Sequence, residues 1–164
     1  MFTRYTGNRQ FDLQLNRTFQ PILDRAGMDE MAATTLPQLR STREITTLAQ
    51  RLAERFSSEG DADAAWRLYE LAAFYLGAGD PRKGRFIDAM SAAFDEAHKG
   101  LALARHAVPY RGGELTAMRW EADPVHRELA PAGTPHTLVM MNGFDGYAEE
   151  IIDFASHFPT RPFD

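Results

Sequence analysis

Thr137-Leu138-Val139-Met140-Met141-Asn142-Gly143-Phe144-Asp145-Gly146-Tyr147-Ala148-Glu149-Glu150 is the stretch on which the reading of the fold turns. Thr137 to Met141 form a continuous apolar run of the length expected for a strand buried on both faces, the pattern of parallel sheets covered by helices. Asn142 to Gly146 then read as a tight glycine turn. From Tyr147 to Phe158 the residues Ile151, Ile152, Ala155 and Phe158 fall at helical spacing. Strand, turn and helix in that order predict the opening of an α/β sheet, where ligands bind beyond the carboxyl ends of strands.

Working back from this stretch, the Pro-, Ala- and charge-rich text from Ala122 to Pro135 reads as a loop. Before it, Leu103 to Tyr110 and Glu114 to Glu121 alternate with period two and are joined across Arg111-Gly112-Gly113, a hairpin connection. Ahead of Gly100 the period is helical. Ile45, Leu48, Ala49, Leu52, Ala53 and Phe56 lie on one helix face, opened by Ser41 with Glu44 three residues on, the spacing of a capping box. A second helix is expected from Asp61 to Leu76, with Ala65, Leu68, Tyr69, Ala72 and Leu76 buried and Gly77 and Gly79 ending it. Asp80-Pro81 read as N-cap and first-turn proline of a third, with Phe86, Ile87, Met90, Ala93, Phe94 and Ala97 on its face and Gly100 at its end. Phe11 to Arg25 is expected to be helical and interrupted at Pro21. The expected fold class is α+β or α/β: a helical domain over 1–100, of about four helices, followed by the first strands of an incomplete α/β unit over 101–164.

Composition bounds the chemistry. The 164 residues are 44% hydrophobic, enough for a core in one domain or two small ones, and the charge balance does not suit disorder. No apolar run approaches the roughly 18 residues of a membrane-spanning helix. Met1-Phe2-Thr3-Arg4-Tyr5 lacks the order of a signal peptide, and the absence of cysteine excludes disulfides and a thiol nucleophile; a cytoplasmic protein is expected. A net charge of −5 argues against nucleic-acid binding, which rests on neutralising phosphates.

The glycines at 143 and 146 allow a close approach of backbone to ligand, and the N–H of Phe144 or Asp145 is placed to donate to an oxyanion. N-G-x-D-G is equally ordinary turn chemistry after a strand. The text lacks G-x-G-x-x-G and Gly-Lys-Ser/Thr, so no nucleotide loop is read. His98, His106, His126, His136 and His157 show no metal-ligand spacing, and no metal or cofactor is expected; His126 with Glu128 reads as solvated surface and His136 as a local hydrogen-bonding residue. None of Ser41, Ser57, Ser58, Ser91 and Ser156 stands in a G-x-S-x-G elbow. Glu149 and Glu150 suit the first turn of a helix, where the dipole favours carboxylates. Trp66, Tyr69, Phe74 and Tyr75 read as core packing, or as the wall of a substrate cavity facing the second part.

The helical unit, the hairpin with Val108-Pro109-Tyr110 and the T-L-V-M-M-N-G-F-D-G-Y-A-E-E run together resemble the N-terminal part of α/β-hydrolases that carry a helical domain ahead of the catalytic one, such as 2,6-dihydroxypseudooxynicotine hydrolases and FrsA-like esterases. The resemblance spans roughly residues 10–155, and the Asn142–Gly146 turn with Glu149-Glu150 is its most specific piece. It implies that the N–H of Phe144 supplies half of an oxyanion hole and that the helical domain shapes the choice of a small-molecule substrate, an ester or a carbon–carbon bond beside a ketone. It also implies that nucleophile, acid and histidine all follow later than this sequence runs, so an N-terminal fragment or truncated form, inactive alone, is expected. The strand that lies between hairpin and turn strand in that fold is absent from the text. An open edge is therefore expected, covered by a second polypeptide or by further copies of the chain, or removed by direct re-pairing of the strands. The alternative is a non-enzymatic helical interaction module that self-associates or binds a protein partner.

Overall fold

The Ser41–Glu44 box is formed as its spacing predicts. Ser41 Oγ accepts from the Glu44 N–H at 3.3 Å while the Glu44 carboxylate accepts from the Ser41 N–H at 3.0 Å, opening the longest helix among the described residues. The computed structural model describes residues 2–121, 137–143 and 146–157. These fall into two compact units, divided along the chain after Ala97.

The first unit is all helical. α1 (Arg9–Phe19) runs into a 3-10 turn, Gln20–Ile22, with Pro21 at its start, so the proline breaks the expected Phe11–Arg25 helix as its missing N–H requires. α2 (Met28–Thr34) and a 3-10 turn at Leu36–Gln38 follow. Neither was expected; α2 has only seven residues, too few to display a periodic face, and it starts at Gly27, whose φ of 75° suits glycine. α3 (Thr42–Glu59) buries Ile45, Leu48, Ala49, Leu52, Ala53 and Phe56, the stripe read from the sequence, together with Thr46.

α4 (Ala62–Phe74) packs against α3 on one side and α5 (Pro81–Ala97) on the other. A helix between two others loses its polar face. α4 accordingly buries Ala64, Ala65, Trp66, Leu68, Leu71, Ala72, Ala73 and even Glu70, a wider face than the single stripe expected. Burial of Glu70 is offset by Arg17 of α1, whose guanidinium lies 2.5 Å from its carboxylate. α5 buries Phe86, Met90 and Phe94 and ends at Ala97, before Gly100.

In the second unit β1 (Leu103–Tyr110) pairs antiparallel with β2 (Gly113–Trp120), in a register that sets Leu103 against Trp120 and Tyr110 against Gly113. Arg111 (φ 47°) and Gly112 (φ 81°) both lie in the left-handed region, the two-residue turn whose twist matches a hairpin. α6 (Ala148–Ser156) follows the glycine turn. The expected strand at Thr137–Met141 is corrected: residues 137–143 carry no regular structure, and Val139 and Met141 are 78% and 88% exposed. A strand exists only by hydrogen bonding to a neighbour, and among the described residues the sheet has two members, β1 and β2, neither of which pairs with this run. Among the described residues the architecture is α+β, helices dominant, which agrees with the expected helical domain followed by a hairpin. Among the described residues no helix is long and apolar enough to cross a membrane.

Candidate functional site

The turn after residue 141 is held by one side chain. Asn142 Nδ2 donates to the carbonyl of Tyr147 and to Glu150 Oε2, each at 2.9 Å, and Asn142 Oδ1 accepts from the Gly143 N–H at 2.9 Å. Glu150 Oε2 also accepts from the Tyr147 N–H at 2.8 Å, closing the first turn of α6 on itself. The Asn142 amide lies where a Cβ on residue 146 would stand, so glycine is required there for close packing rather than for a left-handed backbone. The Gly146 N–H bonds to the Gly143 carbonyl at 3.3 Å.

This geometry assigns the donors of the turn. The N–H groups of Gly143, Gly146 and Tyr147 are engaged within it. Phe144 and Asp145, whose backbone N–H groups are the oxyanion candidates, lie outside the described residues, as do the loop at 122–135, His126, Glu128, His136 and Phe158.

Glu149 and Glu150 diverge, as neighbours on a helix do. Glu149 is 4% exposed and pairs with Arg105 Nη1 of β1 at 2.9 Å, an ion pair that ties α6 to the hairpin. Sequence reading missed it, because a strand arginine and a helix glutamate 44 residues apart carry no joint pattern. On the next turn Asp153 approaches His98 Nε2 at 3.9 Å. Ser156 Oγ donates to the Asp153 carbonyl at 2.6 Å, and Ser58 Oγ to the Arg55 carbonyl at 2.7 Å, so both hydroxyls are spent on their own helices. Among the described residues no group of three or more His, Asp or Glu could hold a metal ion.

The aromatic candidates belong to the helical unit and find separate partners. Trp66 is 1% exposed, packs edge-on against Phe94 with centroids 5.3 Å apart, and donates its Nε1–H to Asp63 at 3.2 Å. Tyr69 lies on Phe86 at 6.3 Å, and Phe74 meets Tyr75 edge-on at 5.0 Å. They are distributed through the packing of α4 rather than gathered in one stack.

Comparisons with protein-family models, with curated proteins and with solved structures return no match for this chain.

Proposed function

We propose that this chain is the leading part of an α/β-hydrolase: the helical domain, the first hairpin and the oxyanion turn of a serine hydrolase acting on esters or on carbon–carbon bonds beside a ketone. The observation that carries this reading is the junction at residue 141. An apolar run, Leu138 to Met141, stands exposed immediately before a turn braced by four hydrogen bonds from Asn142 and Glu150. Exposure of four consecutive large apolar side chains is unfavourable in water, and it is relieved if the run becomes a central strand of a larger sheet. With Gly143, Gly146 and Tyr147 N–H groups engaged, an oxyanion would be met by the N–H of Phe144 or Asp145, which is the role the resemblance implies. Tyr69 and Phe74, half-buried in the helical unit, are the proposed substrate-side residues of the helical domain, with Trp66, 1% exposed, buried in the core. Nucleophile, acid and histidine would come from a second polypeptide or a longer product carrying them, since no serine here has the strand–turn–helix setting of a nucleophile.

A fluorophosphonate probe with intact-mass readout tests this. The purified chain is expected to stay unlabelled at 18.4 kDa, while the chain isolated from its own cells brings with it a polypeptide labelled at a serine. Labelling of the 18.4 kDa chain itself, or an active preparation with no labelled serine anywhere, would contradict the proposal.

A second reading is favoured by the hairpin. Val108 and Leu115 are directly paired across the strands and are 43% and 54% exposed, with Tyr110 beside them at 51%. A two-stranded ribbon with an apolar face is marginal alone, and among the described residues nothing pairs with its outer edges. Self-association through that ribbon would make the chain a non-enzymatic interaction module.

A further inference from the structure

A cavity of about 230 Å³ opens in the helical unit where the start of α3, the end of α4 and the start of α5 meet, lined by Thr42, Arg43, Thr46, Tyr75, Leu76 and Arg82. Two hydroxyls on its wall are orphaned. Thr46 is 2% exposed and its Oγ1 has no hydrogen-bond partner; the Tyr75 OH is likewise buried and unpartnered. Buried hydroxyls in native proteins are hydrogen-bonded, so two around one cavity point to a partner held within it. The remaining polar lining is the neutral Thr42 and two cationic side chains, Arg43 and Arg82. Arg43 is exposed at the second position of α3, where unpaired N–H groups and the helix dipole favour negative charge. Arg82 turns Nε and Nη2 to Asp80, at 3.0 and 2.7 Å, which leaves Nη1 uncommitted. No carboxylate lines the cavity: Glu44 is turned to the N–H groups of Arg40 and Ser41, and Asp80 to Arg82.

We propose that this cavity binds a small oxyanion, a molecule presenting a terminal phosphate or carboxylate, with Thr46 Oγ1 and the Tyr75 OH donating to its oxygens and Arg43 and Arg82 supplying the positive charge. The site lies within the helical unit and is independent of the hydrolase reading. Its volume is below that of pockets for drug-sized ligands, which fits a small molecule. The Tyr75 phenol, pushed up to about 12 by burial, remains a donor throughout the physiological range.

The test is an amide-resonance titration of the whole chain with inorganic phosphate and, separately, acetate at constant ionic strength. Saturable shifts confined to Thr42, Arg43, Thr46 and Tyr75 are expected, and the anion that saturates first identifies the head group. In the near-isosteric pair Thr46→Val with Tyr75→Phe the saturable response should vanish while the fold is kept. Arg43→Gln, on an exposed side chain, keeps the test open should that pair fail to fold, and is expected to weaken binding about tenfold, the loss of one charge-assisted contact. Linear shifts with both anions, as from a cavity filled by water alone, would overturn the proposal. So would binding of undiminished strength in either variant.

Discussion

Asp12 is 2% exposed, and its Oδ1 accepts from the N–H groups of Tyr5 and Thr6, at 3.2 and 2.8 Å, and from the Thr6 hydroxyl at 2.9 Å. That one oxygen fastens the N-terminal strip to α1. Asp12→Ala strands these donors and is expected to cost about 2 kcal/mol, read from the urea midpoint. Asp80 provides the pH-dependent counterpart. Its carboxyl is lowered from 3.8 to about 2, first by the Arg82 side chain and then by the Arg82 N–H, which it caps at 2.9 Å. A carboxyl depressed in the folded state contributes stability that is present above its ordinary value of 3.8 and is lost as pH falls toward 2. Asp80→Asn keeps the cap and removes the charge, so the denaturation midpoints of wild type and variant should differ at pH 5 and converge near pH 2. A gap that stays constant across that range would place the stabilisation elsewhere.

Among the elements, the turn before α6 makes the sharpest prediction. Gly146→Ala forces a Cβ into the Asn142 amide and should release the bonds to Tyr147 and Glu150, seen as faster amide exchange in the first turn of α6. In an Asn142→Ala background the same change should be nearly neutral, because the obstacle is gone; equal damage in both backgrounds would show that the close packing is not what requires glycine. Legibility in the sequence followed how local each cause was. The α3 cap, the Pro21 break and the hairpin are each decided by residues a few positions apart, and Ser41, Glu44, Pro21 and Gly112 announce them. α2 is held by burial of Met28 and Ala32 in a shared core, which no seven-residue text reveals. Thr137–Met141 has the composition of a strand, yet composition supplies no hydrogen-bonding neighbour. The candidate turn was legible because glycine and asparagine spacing is local. The Arg105–Glu149 pair and the Thr46–Tyr75 cavity were not, since their members meet only through tertiary packing.

At the scale of the whole molecule, among the described residues most of the core lies in the helical unit and most of the exposed large apolar side chains lie in the second unit. Leu15, Phe19, Ile22, Leu36, Ile45 and Leu68 are fully or almost fully buried, whereas Val108, Leu115, Leu138, Val139 and Met141 are exposed. Such a surface predicts concentration-dependent association by sedimentation. Val108→Lys with Leu115→Glu places opposite charges across the strand pair, preserves the hairpin and should shift the chain toward monomer. If association persists unchanged in that variant, the hairpin face is not the contact. The central proposal, that residues 137–141 become a sheet strand only when neighbours are supplied, is tested most directly by amide hydrogen exchange across residues 137–141 of the monomeric chain. Exchange at the rate of unprotected peptide is expected there, beside strong protection in α3 and α4. Protection of 137–141 comparable to that of the helices would mean that the run is already paired within the monomer, and would contradict the proposal.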